Sequence, residues 1–436
     1  MMNAEELRMK NRRLIYRKFI LGMICFLVFS LFLGRVRAQA WSLDSIFYTI
    51  ETQNPELKRY DAVVKAMDAY AEGAKSLDPP QVGGGFWMTP YNPMMWKPEG
   101  NTGFLGMGAF MISAEQMIMN PAKLNANATY IQSMSAVDAE MQKVMRNELF
   151  AMAKMSYYEW MVMKRKLKVL IDSENLLSYM IQSTELRYTY GMDKLNAFYK
   201  AKAMLGDIQN MKIMATQEAN QKRIELNTLM NREKEFVFDI DTVLLIPSYE
   251  NESFDSTAIE ANRSDFRVLE KSRLVLQAKQ RFEQSKALPD FGIKYDHMFA
   301  FGAQPQQFSL MAMVTIPIVP WSSKMYKANV NGLHFELDAL RIQQQGLLNQ
   351  IAGQAESLQS QLKSKKQQLD LTEKAILPAM KRNYDIAMHA YEQNTEELFM
   401  VLDAWQNLKM VQLNYLDQLM ELLSLQVEFE KQLEIR

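Results

Sequence analysis

The chain has 436 residues, 48% of them apolar, and equal numbers of basic and acidic side chains, 50 of each. Eight of the basic and two of the acidic ones lie in the first 40 residues, so the remainder is mildly acidic, with a net charge of about −6. That balance leaves no footprint for nucleic acid, and a single cysteine, Cys25, excludes a disulfide framework.

Residues 1–40 read as a signal peptide. A basic stretch (Arg8, Lys10, Arg12, Arg13, Arg17, Lys18) precedes an apolar run from Phe19 to Leu33 and the small residues Ala38 and Ala40, either of which suits cleavage. A retained anchor is the alternative, but the run falls short of the roughly 20 residues that span a bilayer. Cys25 lies inside it, behind Ile24 rather than the small residue that a lipid-attachment site wants, so the exported chain is expected to carry no thiol.

Residues 41–231 and 263–436 read as two repeats of one plan, joined by a polar connector at 232–262 whose one apolar segment is Val243 to Ile246. In the first, a helix opens at Asn54-Pro55 and runs to Leu77. A β-hairpin follows at about 85–117, with strands near Gly85 to Met95 and Gly103 to Gln116. After a bend at Asn120-Pro121, a long helix runs to about Arg187, with a seam at Val137, Met141, Val144, Ala151, Met155, Tyr158 and Val162. It reverses at Gly191, which tolerates left-handed backbone, and a second long helix returns.

The second repeat is clearer. A helix from Arg263 to Leu288 leads to a hairpin at about 290–318. Phe291, Ile293, Tyr295, Phe299 and Phe301 share one face, opposite Lys294 and Asp296. Phe308, Leu310, Ala312, Val314, Ile316 and Ile318 share one face of the next strand. Two amphipathic strands of about ten residues are long enough to cross a membrane as β-structure. From Lys324 to Tyr391 the period is that of a coiled coil, through Leu348, Ile351, Ala355, Leu358, Leu362, Lys365, Leu369, Thr372 and Ile376, with Pro378 as an interior breaker. Asn394 makes the second reversal, and Leu398, Val401, Trp405, Leu408, Tyr415, Leu419 and Leu422 carry the seam back.

Four strands cannot close a barrel, because fewer than about eight leave no room for interior side chains and open edges are not tolerated in lipid. Several copies must therefore share one, and strand arithmetic allows two, three or four. The expected fold class is mainly α with a β-barrel portion, the barrel continued by an α-helical tunnel.

The order of the motifs resembles the TolC-type outer-membrane efflux proteins over residues 42 to about 433. Ser42-Leu43-Asp44-Ser45 with Asn54-Pro55-Glu56-Leu57 carries the resemblance first, then Gln116-Met117-Ile118 leading to Pro121-Ala122-Lys123-Leu124, Arg187-Tyr188-x-x-Gly191, Ile224-Glu225-Leu226-Asn227 and Val401-Leu402-Asp403-Ala404. The stretch from Gln116 to Leu124 looks closest to the heavy-metal efflux branch. The resemblance implies a homotrimeric, passive exit duct in outer-membrane lipid, with its tunnel in the periplasm. A periplasmic adapter and an inner-membrane pump would deliver small molecules or metal ions to it. By the same resemblance Arg187, Tyr188, Gly191, Asn394 and Thr395 belong to adapter-docking tips, and Tyr391 and Asp403 to the periplasmic entrance. Met400 and Glu396 depart from the family pattern there, where a further acidic and a basic residue are common.

No catalytic constellation, phosphate loop or cofactor motif emerges, and His297, His334 and His389 lack metal-ligand spacing. The expectation is no enzyme, no cofactor and no metal site. Thirty-four methionines invite a soft-metal reading, copper or silver, with Met141, Met145, Met152 and Met155, or Met161 and Met163, as a ladder, but helix-seam packing explains them better. Two rivals remain. A periplasmic coiled-coil adapter explains the heptads but not the strands, and a secreted hydrolase lacks residues to support it.

Overall fold

The structure is a computed structural model that describes residues 40–97, 105–191, 194–242, 247, 249 and 256–435. The signal-peptide reading and the Val243 to Ile246 segment lie outside these residues, as does the expected strand start at Gly103.

Two short helices come first, α1 (Leu43–Gln53) and α2 (Pro55–Gly73). Ser42 caps α1, its hydroxyl accepting from the Ser45 amide. Asn54 caps α2: its side-chain oxygen accepts from the Glu56 amide at 2.9 Å, and its amide group donates to the Leu229 carbonyl at 2.9 Å. Pro55 sits at the first helical position, where no amide donor is needed. The Asn-Pro pair thus starts one helix and fastens it to the end of another, α4 (Leu195–Leu229).

Strands β1 (Gln81–Trp87), β2 (Ala109–Ile118), β3 (Asp290–Ala300) and β4 (Gln307–Thr315) form one antiparallel sheet in that order. The first hairpin departs from expectation. β1 begins before Gly85 and holds three consecutive glycines, while Pro93–Met95 forms a 3₁₀ turn rather than strand. Pro90 and Pro93 cannot donate to a ladder, so the chain leaves the sheet at Met88, whose φ is +45°. In the second hairpin Phe301 lies past the end of β3 and stacks on Trp96 at 5.2 Å. Ile316 and Ile318 lie past β4, where Pro317 interrupts the pairing.

The register assigns the faces. Val82, Phe86, Phe110, Ile112, Ala114, Phe291, Ile293, Tyr295, Phe299, Phe308, Leu310 and Val314 share one, exposed along most of its length. The other carries Gln81, Ser113, Glu115, Lys294, Asp296 and Ser309 among small residues and methionines. Here Asp296 is buried, accepts from the Ser309 hydroxyl at 3.1 Å and lies 3.8 Å from the Lys294 ammonium.

Below the sheet run the long helices. α3 (Pro121–Thr189) has 69 residues, about 100 Å at about 1.5 Å per residue. Its start is held to β3: Asn120 caps it and donates to the Pro289 carbonyl, and Lys123 pairs with Asp290 at 2.7 Å. A short α5 (Ser256–Asn262) precedes α6 (Ser264–Ser285). α7 (Pro320–Leu371) passes through a π turn at Thr372–Ile376 into α8 (Leu377–Glu392), and α9 (Leu398–Leu433) returns. The π turn lies just before Pro378, which lacks an amide and whose ring crowds the preceding turn.

α3 packs on α2 and α6 and also on α4 and α9; α7 packs on α6 and α9. Ile351, Ala355, Leu362 and Leu369 are buried as the seam requires, while Lys365 is met by Glu421. Within the π turn the register shifts: Thr372, its first residue, is buried and anchored to Gln418 at 2.9 Å, and Ile376, its last, is exposed. The α3 seam is displaced from expectation: Met141 is exposed, and Leu149, Phe150, Ala153, Tyr157, Trp160 and Met161 carry the core with Val162. No helix among the described residues is long and apolar enough to cross a membrane.

Candidate functional site

The two helical hairpins end side by side. α3 terminates in a turn where Gly191 adopts φ +75° and its amide donates to the Tyr188 carbonyl at 2.9 Å. A Cβ there would meet nothing within 4 Å, so backbone conformation and not space calls for glycine. α8 terminates at Asn394, φ +59°, a residue that tolerates this region better than most. Thr395 closes that turn, its amide and hydroxyl both donating to the Ala390 carbonyl at 2.9 Å.

Arg187 joins the two ends. Its guanidinium donates to the Asn394 side-chain oxygen at 2.5 Å and lies 4.4 Å from the ring centroid of Tyr391. Tyr391 is only 3% exposed and belongs to a distal core with Leu170, Leu177, Met180, Leu398, Val401, Leu402 and Trp405. The sequence reading put Arg187 at a docking tip and Tyr391 at an entrance; the structure brings them into one cluster. Lys194 and Glu397 add an ion pair at 2.8 Å, which the sequence reading missed. Its signal was present: the pair is separated by the same 203 residues as Gly191 and Asn394, so equivalent positions carry opposite charges.

Tyr188 points outward and is exposed, as is Tyr190. Asp403 stands farther along α9 on an exposed face with Phe399 and Met400, accepting from Asn407 at 3.3 Å. The Lys200 ammonium lies 3.5 Å from the Phe399 ring centroid. Nearby, burial pushes the Tyr384 phenol above its ordinary pKa, helped by Asp385 and Glu392, and burial pulls the Lys409 ammonium down.

A second polar cluster lies midway along α3, against the last turns of α9. Lys154 and Glu430 meet at 2.6 Å with side chains 11% and 5% exposed, and Glu430 also accepts from Tyr249 at 2.8 Å and Gln426 at 3.0 Å. Burial, with Glu430 adding to it, pushes the neighbouring Tyr158 phenol up to about 12. Tyr157 is raised similarly by burial and donates to the Asp241 carbonyl at 2.7 Å, fastening the connector to α3. The three histidines are far apart: His297 lies against Phe299, His334 near Asp338 and His389 near Glu392. Among the described residues no three His, Cys, Asp or Glu side chains are placed to hold a metal ion.

A four-stranded sheet with one apolar face, continued by helices of about 100 Å that end in paired tips, is the fold of outer-membrane channel proteins of the TolC type. Among solved structures, the chain is similar to the outer-membrane channel OprN (TM-score 0.70, 13% identity, covering 90% of this chain and 89% of that one). It is similar to the outer membrane protein VceC of Vibrio cholerae (0.68, 14%, 90% and 95%) and to the CmeC outer membrane channel of Campylobacter jejuni (0.68, 15%, 90% and 85%). No protein-family profile matches the chain, and no curated protein does either.

Proposed function

We propose that the protein is the outer-membrane channel of a tripartite efflux system: a passive homotrimeric duct that carries small molecules or metal ions outward from an inner-membrane pump and a periplasmic adapter. The carrying observation is the sheet, whose apolar face is exposed and whose outer strands β1 and β4 have no further strand paired to them among the described residues. Unpaired strand edges are costly in lipid, and three copies would close a twelve-stranded barrel.

The face carries aromatic side chains towards both ends of β3, as a membrane barrel's girdles would, with Gln116 and His297 as its polar members. Phe86, Phe110 and Phe299 are directly paired across three strands, and Phe291 lies eight residues away along β3 with Trp321 exposed below the sheet. Eight residues at about 3.4 Å make about 27 Å along the strand, or about 20 Å at a tilt of about 40°, close to the band of outer-membrane barrels. The helices would form the periplasmic tunnel, residues 41–231 and 263–436 acting as two repeats about the 232–262 connector. Arg187, Tyr188, Gly191, Asn394 and Thr395 would meet the adapter. Tyr391 and Asp403 would shape the entrance, three Asp403 carboxylates facing one another at its mouth.

Chemical crosslinking and native mass measurement of detergent-extracted protein should give a trimer recovered from the outer-membrane fraction. A stable, soluble monomer defeats the proposal and favours a coiled-coil adapter.

A further inference from the structure

On the polar face of the sheet, close to where the strands give way to the helices, Gly292 is paired between Met117 and Met313. A Cβ at Gly292 would fall 2.6 Å from the Met117 sulfur and 3.2 Å from the terminal methyl of Met313. The Met117 sulfur and the Met313 methyl therefore flank one bare stretch of backbone. A glycine inside a strand weakens it and marks a place where something approaches closely.

Met311 stands two residues before Met313 on the same face of β4 and is exposed. These side chains differ in setting from Met161, Met180 and Met230, which are fully buried among helices and act as core filler. Met117 and Met313 are only partly buried, so an ion can reach them from the polar face.

Charged side chains share this face, and Glu115 stands two residues before Met117 on it. Lys123 pairs with Asp290 at 2.7 Å and Lys294 lies 3.8 Å from Asp296. The thioethers themselves are neutral, soft donors. Such a set disfavours hard divalent cations, which want oxygen ligands, and suits soft monovalent ones.

We propose that Met117 and Met313, with Met311 as a third donor, form a site for a soft monovalent cation, copper(I) or silver(I), on the sheet's polar face. The site belongs to a single chain, so it stands or falls apart from the duct reading.

Silver nitrate is the probe, added to full-length protein in detergent, with retained silver measured after gel filtration. Methionine oxidation by dilute peroxide is mapped by peptide mass spectrometry with and without silver. The wild type should retain silver, and Met117 and Met313 should be protected by it. Met117→Leu with Met313→Leu, which nearly conserves volume, should weaken silver binding at least tenfold, whereas Met152→Leu with Met214→Leu, at exposed helical positions, should leave it unchanged. Gly292→Ala, which drives a methyl into the Met117 sulfur, should weaken it as well. Equal silver retention by the wild type and the Met117/Met313 variant, or oxidation of Met117 and Met313 that silver does not slow, would overturn the site and leave the pair as packing.

Discussion

At two heights the chain joins opposite charges from distant segments, and the two junctions are built differently. Midway along α3, where α9 ends, Lys154 and Glu430 meet with almost no exposure, and Tyr249 and Gln426 satisfy the carboxylate. At the tips, Lys194 and Glu397 meet at nearly the same distance with side chains 69% and 64% exposed. A buried pair is strongly coupled to its surroundings, while an exposed one contributes about 0–1 kcal/mol. The charge pair on the middle of α3 is thus locked, whereas the one at the tips is open to water and leaves the holding there to the distal core around Tyr391. Under the proposed function, that distribution would suit a duct that opens at its tip and stays closed along its wall.

The widest contrast comes from breaking the buried junction. Lys154→Met leaves the Glu430 carboxylate buried without its cation and should destabilise the helical portion by about 3–5 kcal/mol. Lys154→Met with Glu430→Leu should recover much of that loss, and thermal unfolding followed by circular dichroism reads both. If the single and double variants melt alike, the two charges are not coupled.

Next comes Gly191→Val, which forces a β-branched residue into left-handed backbone at a cost of about 1–2 kcal/mol confined to the tip. It should abolish efflux while trimer yield stays near normal. Asn394→Gly, which relaxes the other turn but removes the acceptor for Arg187, should do less. Unchanged tolerance to drugs or metals in a strain that relies on this duct would count against the tip's role.

Arg187→Ala removes the cation–π contact and the hydrogen bond to Asn394 together, a loss of about 1–2 kcal/mol in holding the tips side by side. Limited trypsin digestion should then cut faster at Lys194 and Lys200, with the middle of α3 still protected. Digestion at the wild-type rate would show that the tips do not depend on this bridge. The smallest effect is expected of Lys194→Ala, which should barely change that rate at physiological salt.

The parts legible in the sequence are those governed by short-range rules. The long helices follow from their period, the reversals at Gly191 and Asn394 from backbone tolerance, and β3 from its alternation. β1 was misplaced because Gly83, Gly84 and Gly85 look like a turn, yet their backbone pairs fully with β2. The α3 seam slipped because methionines stand at both seam and surface positions and blur the apolar stripe. The union of Arg187 with Tyr391, and of Lys154 with Glu430, depends on how separate hairpins pack, which no local pattern encodes.

Asp403 sharpens the account at the mouth. If three copies of it converge, their repulsion and the narrow opening favour cations. Glu421, already met by Lys365, serves as the neutralised comparison. The most direct measurement is therefore single-channel recording of the purified protein in planar bilayers. The account predicts discrete, cation-selective openings that multivalent cations block from the periplasmic side, with Asp403→Ala weakening both selectivity and block and Glu421→Ala changing them less. Bilayers that stay silent with correctly folded trimer would contradict the duct itself, and openings indifferent to both substitutions would remove Asp403 from its mouth.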